Sequence, residues 1–136
     1  MTKETFPDGV FEGVRDCLVE ALGVAQESVL PESRIIVELG ADSLDLLDIT
    51  FRLERRFKIK ISPRDIEKRA RVTLGDVPLE IDGIYTPEAL VELRKALPEI
   101  PQEELMEGLS IADLPRRFRV ATMMNMVRMC QERNGE

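Results

Sequence analysis

The sequence predicts an all-α fold within one domain, residues 1–136. Apolar residues recur every three or four positions in several segments, which is the spacing of one face of a helix. Capping residues and helix breakers stand at the ends of these segments. Residues 58–61 alternate between charged and apolar side chains, but no second strand pattern can pair with them, so we expect an extended connector. A chain of 136 residues fits a single domain.

The first predicted helix covers residues 7–22. Asp8 can cap its start, and Gly23 can end it. A loop of residues 24–39 follows, and the apolar residues spaced through it predict that it is held on the core. The helix positions that follow the three-four spacing are Val10, Phe11, Val14, Cys17, Leu18, Ala21 and Leu22.

The second predicted helix covers residues 43–57 and carries two apolar stripes. Gly40 favours a turn before it, and Asp42 or Ser43 is the candidate N-cap. The stripe predicted to face the core contains Leu46, Ile49, Leu53 and Phe57, with Thr50 among them.

The second stripe of this helix begins beside the serine and is interleaved with two aspartates. Its apolar members are Leu44, Leu47 and Phe51, and the aspartates are Asp45 and Asp48. A helix that only packs on a core would normally have polar residues at these positions. An apolar and acidic edge beside a displayed hydroxyl is typical of a docking surface for a basic partner. Burial of both stripes by additional chain is the alternative.

This part of the chain resembles a known family. The residues that carry the resemblance are Gly40, Ala41, Asp42, Ser43, Leu44 and Asp45, followed by Leu47, Asp48, Leu53, Glu54, Phe57, Ile59 and Ile61. Together they resemble the Asp-Ser-Leu site and second helix of acyl carrier proteins. The resemblance runs from about Val10 to about Lys68, roughly half of the chain.

The resemblance implies that Ser43 receives 4′-phosphopantetheine from coenzyme A through a phosphodiester bond. The thiol of that arm would carry acyl intermediates as thioesters between enzymes of fatty-acid, lipid or polyketide-type metabolism. The implied partners are a phosphopantetheinyl transferase and acyl-processing enzymes such as synthases, ligases or acyltransferases. The cargo could be a fatty acyl chain, a polyketide unit or an aminoacyl group, and the Asp-Ser-Leu form favours acyl chains.

The resemblance also implies which residues contact these partners. They are Asp42, Leu44, Asp45, Asp48 and Glu54, to which the second stripe adds Leu47 and Phe51. The chain departs from the family after this point, where an acidic surface is replaced by Arg55, Arg56, Lys58 and Lys60. Because reversed charge replaces attraction by repulsion, partners that bind a continuous acidic helix should bind this one more weakly. We therefore expect a specialised carrier with dedicated partners.

A third predicted helix begins at residues 62–65 and ends at about Arg69. Ser62 is the candidate cap, Pro63 occupies the first helical position, and Asp65 completes a capping box.

The family also requires a closing helix, and three segments resemble its start. Residues 72–77 and 110–114 are interrupted by Pro78 and Pro115, whereas residues 119–127 contain no break. We therefore assign the closing helix to about residues 119–133. The carrier core is then residues 7–69 plus the closing helix, and residues 70–118 are an insertion that adds one or more helices to a four-helix bundle.

The insertion contains one clear helix signal, with Thr86 as the cap and Pro87 at the first position of a helix that ends near Leu97. One hypothesis is that the insertion packs on the carrier core, extending the acyl-binding region or adding a partner surface. A structural annex without contact to the cargo is slightly favoured over it, since carrying a cargo needs no such annex. The family resemblance separately suggests a tunnel for the acyl chain between helices two and three.

The closing segment is rich in methionine and arginine. Its apolar positions are Val120, Met123, Met124, Met126, Val127, Met129 and Cys130. So wide an apolar face predicts a buried helix, although the flexible methionines would also suit a fatty chain or a partner. From residue 115 onward five arginines face two glutamates, a local balance of +3. This end could contact anionic lipid head groups, an acidic partner or the acidic start of helix two.

Composition excludes several classes of function. The net charge of −7 and pI near 4.8 would repel nucleic acid. No apolar run approaches the ~18–20 residues that span a bilayer, and the N-terminus lacks the apolar centre of a signal peptide. Cys17 and Cys130 lack metal or redox spacing, and Cys17 lies on an apolar helix face. We therefore expect a cytoplasmic protein.

Catalytic machinery is missing from the sequence. The chain has no histidine, so a Ser-His or Cys-His nucleophile pair is impossible. It has no glycine-rich phosphate motif and no metal-ligand cluster. We expect a monomeric carrier that is not an enzyme. One alternative is an unmodified helical adaptor that retains the carrier fold, and another is a membrane-surface protein that uses the basic, methionine-rich end.

Overall fold

The computed structural model describes residues 9–61 and 65–134, which form five α-helices and one short hairpin. The helices are α1 (Val10–Leu22), α2 (Ser43–Phe57), α3 (Asp65–Leu74), α4 (Pro87–Ala96) and α5 (Val120–Asn134). Strands β1 (Glu80–Ile81) and β2 (Ile84–Tyr85) pair antiparallel between α3 and α4. Short 3₁₀ helices cover Gln26–Ser28, Gln102–Glu104 and Leu114–Arg117. The predicted all-α class is confirmed, with the hairpin as a small addition.

The helices pack around one continuous apolar core. Helix α1 packs against both α2 and α5, and α3 packs against α4. Each helix contributes fully or nearly fully buried side chains to the same cluster, such as Val14, Ile49, Ile66, Leu90 and Val127. The predicted core stripe of α2 is confirmed at Ile49 and Leu53, which have no exposed surface.

Helices α1 and α2 approach closely at a glycine. Gly13 is buried in α1, and a β-carbon at this position would overlap the ring of Phe57 in α2. The Phe57 ring lies in space that any other residue at position 13 would occupy. The small glycine therefore allows α1 and α2 to pack closely at this point.

The loop between α1 and α2 is held on the core, as its apolar residues predict. Val29 and Ile35 are buried. The backbone N–H of Ile35 donates to the carbonyl of Phe118 at 3.2 Å, and that of Val120 donates to Ser33 at 2.9 Å. These bonds form a short antiparallel bridge between the loop and the start of α5.

The segment between α3 and α5, residues 75–119, forms a compact layer and is called the α3–α5 segment below. Thr86 caps α4 as predicted, accepting a hydrogen bond from the Ala89 N–H at 3.1 Å. Residues 109–111 lie beside the hairpin. The Tyr85 N–H donates to the carbonyl of Leu109 at 3.0 Å, and the Ile111 N–H donates to the carbonyl of Gly83 at 2.9 Å.

Two helix boundaries differ from the sequence prediction. Helix α3 ends at Leu74 rather than at about Arg69, because no helix breaker precedes Gly75, whose φ is 63°. Residues 72–74 are therefore the last turn of α3 and do not open a closing helix. Helix α1 begins at Val10 rather than at residue 7. The predicted caps Asp8 and Ser62, together with Pro63, lie outside the described residues.

The hairpin was missed by the sequence reasoning. Asp82 and Gly83 at its tip have φ values of 55° and 82°, which is the backbone of the tight turn that favours Asp-Gly. The Asp-Gly pair between Ile81 and Ile84 is the signal that could have revealed it.

Of the three segments considered for the closing helix, only the third lies in a long unbroken helix, and its role as the closing helix stays a prediction. Ser110 forms a β-bridge with Ile84, and residues 111–113 are turns that lead into the 3₁₀ helix at Leu114–Arg117. Helix α5, by contrast, runs unbroken from Val120 to Asn134 and packs on α1. The division of the chain into carrier core and insertion stays a prediction.

Candidate functional site

The start of α2 is fixed by a capping box between two aspartates. Asp42 is the N-cap residue, and its carboxylate accepts a hydrogen bond from the Asp45 N–H at 2.9 Å. The Asp45 carboxylate accepts the Asp42 N–H at 3.0 Å. Two of the unpaired donors at this helix end are thereby satisfied. Of the two candidate caps, the structure selects Asp42.

Ser43 is the first residue of α2, and its side chain is exposed. Because the neighbouring aspartate fills the capping role, the serine hydroxyl is not used for it. The hydroxyl stands where the helix dipole places partial positive charge and where backbone N–H groups point outward. The position suits a group that carries negative charge.

The second stripe of α2 is exposed to solvent. Leu44, Leu47 and Phe51 have 76%, 47% and 51% of their surface exposed. The alternative that additional chain buries this stripe is therefore wrong. An exposed row of apolar side chains along one helix is typical of an interaction surface.

The acidic residues on α2 differ in the contacts that they make within the protein. Asp48 accepts a hydrogen bond from the Arg52 Nε at 3.2 Å, and Arg52 also reaches Glu20 of α1 at 3.2 Å. Glu54 is half-buried, and its carboxylate accepts the backbone N–H of Ile61 at 2.9 Å. This bond ties the connector after α2 to the helix. Glu54 thus has a structural contact, whatever its role toward partners.

The C-terminal end of α2 is basic and exposed. Arg55 and Lys58 lie on the surface, and Lys58 ends the helix with a φ of 57°. Arg56 lies 3.4 Å from Asp16 of α1, so its charge is partly balanced within the molecule. The helix therefore presents aspartates near Ser43 and cations at its other end.

A cleft of about 510 Å³ opens beside Ser43. Helix α2, the loop before it, the α3–α5 segment and α5 all contribute side chains. The residues that line it are Ile36, Ala41, Asp42, Ser43, Leu46, Leu47, Thr50, Ile61, Ala112, Asp113, Pro115, Arg116, Phe118, Met123 and Met126. Its surface is mostly apolar.

Five of the lining residues that the sequence reasoning did not place at the site come from the predicted insertion. They are Ala112, Asp113, Pro115, Arg116 and Phe118. They follow Ser43 by about seventy positions, and no periodicity links them to it. The one signal was the abundance of apolar residues in the predicted insertion, which raised the hypothesis of packing on the carrier core.

The methionine-rich helix is core, as its wide apolar face predicts. Met123, Met124, Met126 and Val127 are buried. These side chains therefore have little surface exposed to solvent. Among the described residues, no helix combines the length and apolar character that crossing a bilayer requires.

A helical bundle that displays a serine hydroxyl at a helix start, flanked by an apolar and charged face, is a carrier-type domain. No group of three or more candidate metal ligands occurs in residues 9–61 and 65–134. Among these residues, the start of α2 presents the exposed Ser43 and, beside it, the exposed apolar side chains of Leu44, Leu47 and Phe51.

Comparison with known proteins agrees with this class. The family of phosphopantetheine attachment sites matches residues 12–73. An acyl carrier protein of Campylobacter fetus subsp. fetus (strain 82-40) is 43% identical over 75 residues, which is 55% of this chain and 95% of the relative. An acyl carrier protein of Campylobacter concisus (strain 13826) is 48% identical over 68 residues, covering 50% of this chain and 86% of the relative. No solved structure shows a significant match.

The chain belongs to the acyl carrier protein family. Proteins of this family are carriers and not enzymes, and their cofactor is phosphopantetheine. The match to the attachment-site family ends at residue 73, so the α3–α5 segment and α5 lie beyond it.

Proposed function

We propose that Ser43 is the residue that accepts 4′-phosphopantetheine and that the protein carries acyl groups as thioesters in fatty-acid, lipid or polyketide-type metabolism. The observation that carries this proposal is the exposed hydroxyl of Ser43 at the first position of α2, left out of the capping box that Asp42 and Asp45 form. The helix fixes the position of the serine, and the residue is exposed to solvent.

The surroundings of Ser43 fit the group. In the attachment, the serine oxygen forms a new bond to the phosphorus that bears the pantetheine, adenosine bisphosphate leaves from coenzyme A, and the hydroxyl proton passes to a base of the transferase. The phosphodiester keeps a negative charge. The N-terminal end of α2 stabilises an anion there by roughly 0.3–1 kcal/mol. Once attached, the arm supplies a thiol that forms thioesters.

The exposed face of α2 is the docking surface in this proposal. Leu44, Leu47 and Phe51 supply apolar contact area, and Asp42, Asp45 and Asp48 supply negative charge near Ser43. A transferase or an acyl-processing enzyme that presents a basic and apolar groove would fit this end. We assign Glu54 a smaller share, because its carboxylate binds the Ile61 backbone.

We further propose that the protein works as a monomer in the cytoplasm. Both cysteines are buried and neither forms a disulfide, and burial raises the pKa of the Cys17 thiol. Buried thiols of raised pKa are unreactive, and they agree with a reducing compartment.

The test is the intact-protein mass after incubation with coenzyme A, magnesium and a broad-specificity phosphopantetheinyl transferase. Wild type should gain the mass of one phosphopantetheine, and Ser43→Ala should gain none. Ser28→Ala is the matched control, since Ser28 is also exposed but lies in the loop between α1 and α2, and it should load like wild type. Loading of Ser43→Ala would disprove the site. Failure of wild type with several transferases would favour the unmodified adaptor.

A further inference from the structure

The cleft beside Ser43 has two walls of different origin. One wall is α2 with the loop before it, including Ile36, Leu46 and Leu47. The facing wall is a stretch of the α3–α5 segment, residues 112–118, which lies beyond the part of the chain that matches the attachment-site family. Met123 and Met126 of α5 also line the cleft.

The wall formed by residues 112–118 is anchored to the rest of the molecule. The carbonyl of Phe118 accepts the Ile35 N–H at 3.2 Å. Arg117, beside it, donates from Nε to the carbonyl of Glu104 at 3.2 Å. Leu114 and Phe118 are buried. The stretch is therefore a built part of the fold, and the cleft keeps its shape between two packed elements.

The space between α2 and α3 is largely filled by the same segment. Tyr85 is buried there, and its hydroxyl lies 2.9 Å from the carboxylate of Glu67 in α3. The cavity that remains measures about 190 Å³, and it is bordered by Leu46 of α2, Ile66 of α3 and the buried Phe118. Of the described residues of α3, none lines the larger cleft. A tunnel between α2 and α3 is thus restricted, while the cleft beside Ser43 is open.

We propose that the cleft between α2 and residues 112–118 is the binding site for the acyl chain and that it selects apolar chains over charged aminoacyl groups. The inference rests on Ser43 bearing the arm. The floor of the cleft consists of Ala41, Ile61, Phe118 and the two α5 methionines. Methylene groups that enter it leave water and gain close contacts. A charged amine on this apolar floor would lose its hydration, because the two carboxylates that line the cleft, Asp42 and Asp113, are exposed to solvent and not part of the floor.

Methyl NMR of the loaded protein locates the chain directly. The protein is labelled at methionine and isoleucine methyl groups and loaded from acetyl- or decanoyl-coenzyme A with the transferase. Exchanging acetyl for decanoyl should shift Met123 and Met126, which line the cleft. Met106, which is exposed elsewhere, and Met129, which borders a different cavity, are internal controls. Shifts at Ile66 without shifts at Met123 and Met126 would place the chain between α2 and α3 and overturn the proposal.

A variant with a narrower opening to the cleft provides a second test. Ala112 is exposed at the cleft, and Ala25 is exposed in the loop after α1, so Ala112→Phe and Ala25→Phe are matched variants. The rate of thioester cleavage by hydroxylamine is measured from the intact mass of the protein. This rate is divided by the cleavage rate of the same acyl group on coenzyme A. In wild type and Ala25→Phe, decanoyl should be cleaved several-fold more slowly than acetyl. Ala112→Phe should lose most of this difference.

The outcomes separate this inference from the proposed function. If the protein does not load, Ser43 or the carrier role is wrong, and the acyl-binding cleft, which rests on that role, is overturned with it. If the protein loads but decanoyl and acetyl are cleaved at equal relative rates in wild type, the carrier role stands and the binding cleft is wrong. Protection that persists unchanged in Ala112→Phe would also overturn the cleft.

Discussion

Glu104 and Arg119 form a two-point ion pair within the α3–α5 segment, between the 3₁₀ turn at Gln102–Glu104 and the residue that precedes α5. Arg119 Nη1 donates to Oε1 of Glu104 at 3.0 Å, and Nη2 donates to Oε2 at 2.7 Å. Arg34, from the loop between α1 and α2, adds a bond to Oε2 at 2.8 Å. The hydrogen bond from Arg119 and the nearby positive charges hold the pKa of Glu104 below its usual range. One largely buried carboxylate thus connects three parts of the chain.

The first prediction concerns the stability that this pair provides. At neutral pH, Glu104→Gln should lower the free energy of unfolding by roughly 2–3 kcal/mol, because it leaves the buried Arg119 without its carboxylate. Since the pKa of Glu104 is lower in the folded state, the stabilisation is complete above the ordinary carboxyl pKa and is lost as pH falls through the folded value. The difference between wild type and variant should therefore shrink below about pH 4.3.

Urea denaturation at a series of pH values measures this difference. Glu103→Gln is the matched control, because Glu103 is exposed beside the same 3₁₀ turn, and it should change stability little at any pH. A Glu104→Gln effect that stays constant from neutral to acidic pH would show that packing, and not the charge, provides the stability.

The second prediction concerns the contact between Gly13 and Phe57. An alanine in the interior of a helix is normally more stable than glycine by about 1 kcal/mol. Here the new methyl group would meet the Phe57 ring, and overpacking costs about 1–3 kcal/mol. Gly13→Ala should therefore lower the free energy of unfolding by about 1 kcal/mol.

A double-mutant cycle isolates this contact. In a Phe57→Leu background the ring is absent, and Gly13→Ala should become neutral or stabilising. Thermal or urea unfolding of the four proteins gives the coupling between the two positions. If Gly13→Ala destabilises both backgrounds equally, the close approach of α1 and α2 is not set by this pair.

Local signals explain which elements could be predicted from the sequence. Helix α2 has the predicted bounds because its start is marked by Gly40 and Asp42 and its interior has no breaker. Helix α4 was predicted from Thr86 and Pro87 in the same way. The exposure of Phe51 followed from its place on a stripe interleaved with charge.

Contacts between distant parts of the chain explain what could not be predicted. Periodicity shows which face of a helix is apolar, but it does not show which of many arginines pairs with Glu104. Likewise, nothing in residues 112–118 indicates that they face α2 across a cleft, because the intervening hairpin and α4 decide where the chain returns. The Ser43 region was recognisable because the residues that mark it are neighbours in the sequence. The cleft was not recognisable, because its two walls are far apart in the sequence.

The third prediction separates the capping hydrogen bond of Asp42 from the negative charge of its side chain. Asp42→Ala removes the acceptor for the Asp45 N–H and should lower the free energy of unfolding by about 1 kcal/mol. Asp42→Asn keeps a side-chain oxygen, and because asparagine caps as well as aspartate, it should retain most of the stability. Urea denaturation measures both. Equal losses in the two variants would show that the negative charge at the helix start, and not the hydrogen bond, stabilises α2.

The last prediction tests the exposed face of α2 as a docking surface. Phe51 is half exposed, so Phe51→Glu should change the free energy of unfolding by no more than about 0.5 kcal/mol. It should nevertheless lower kcat/KM of the phosphopantetheinyl transferase for this protein several-fold, because a charge would replace an apolar contact in the interface. Val72→Glu is the matched control, since Val72 is 84% exposed on α3, away from this face. A transferase rate unchanged by Phe51→Glu would exclude Phe51 from the interface, and a large loss of thermal stability would show that it supports the core instead.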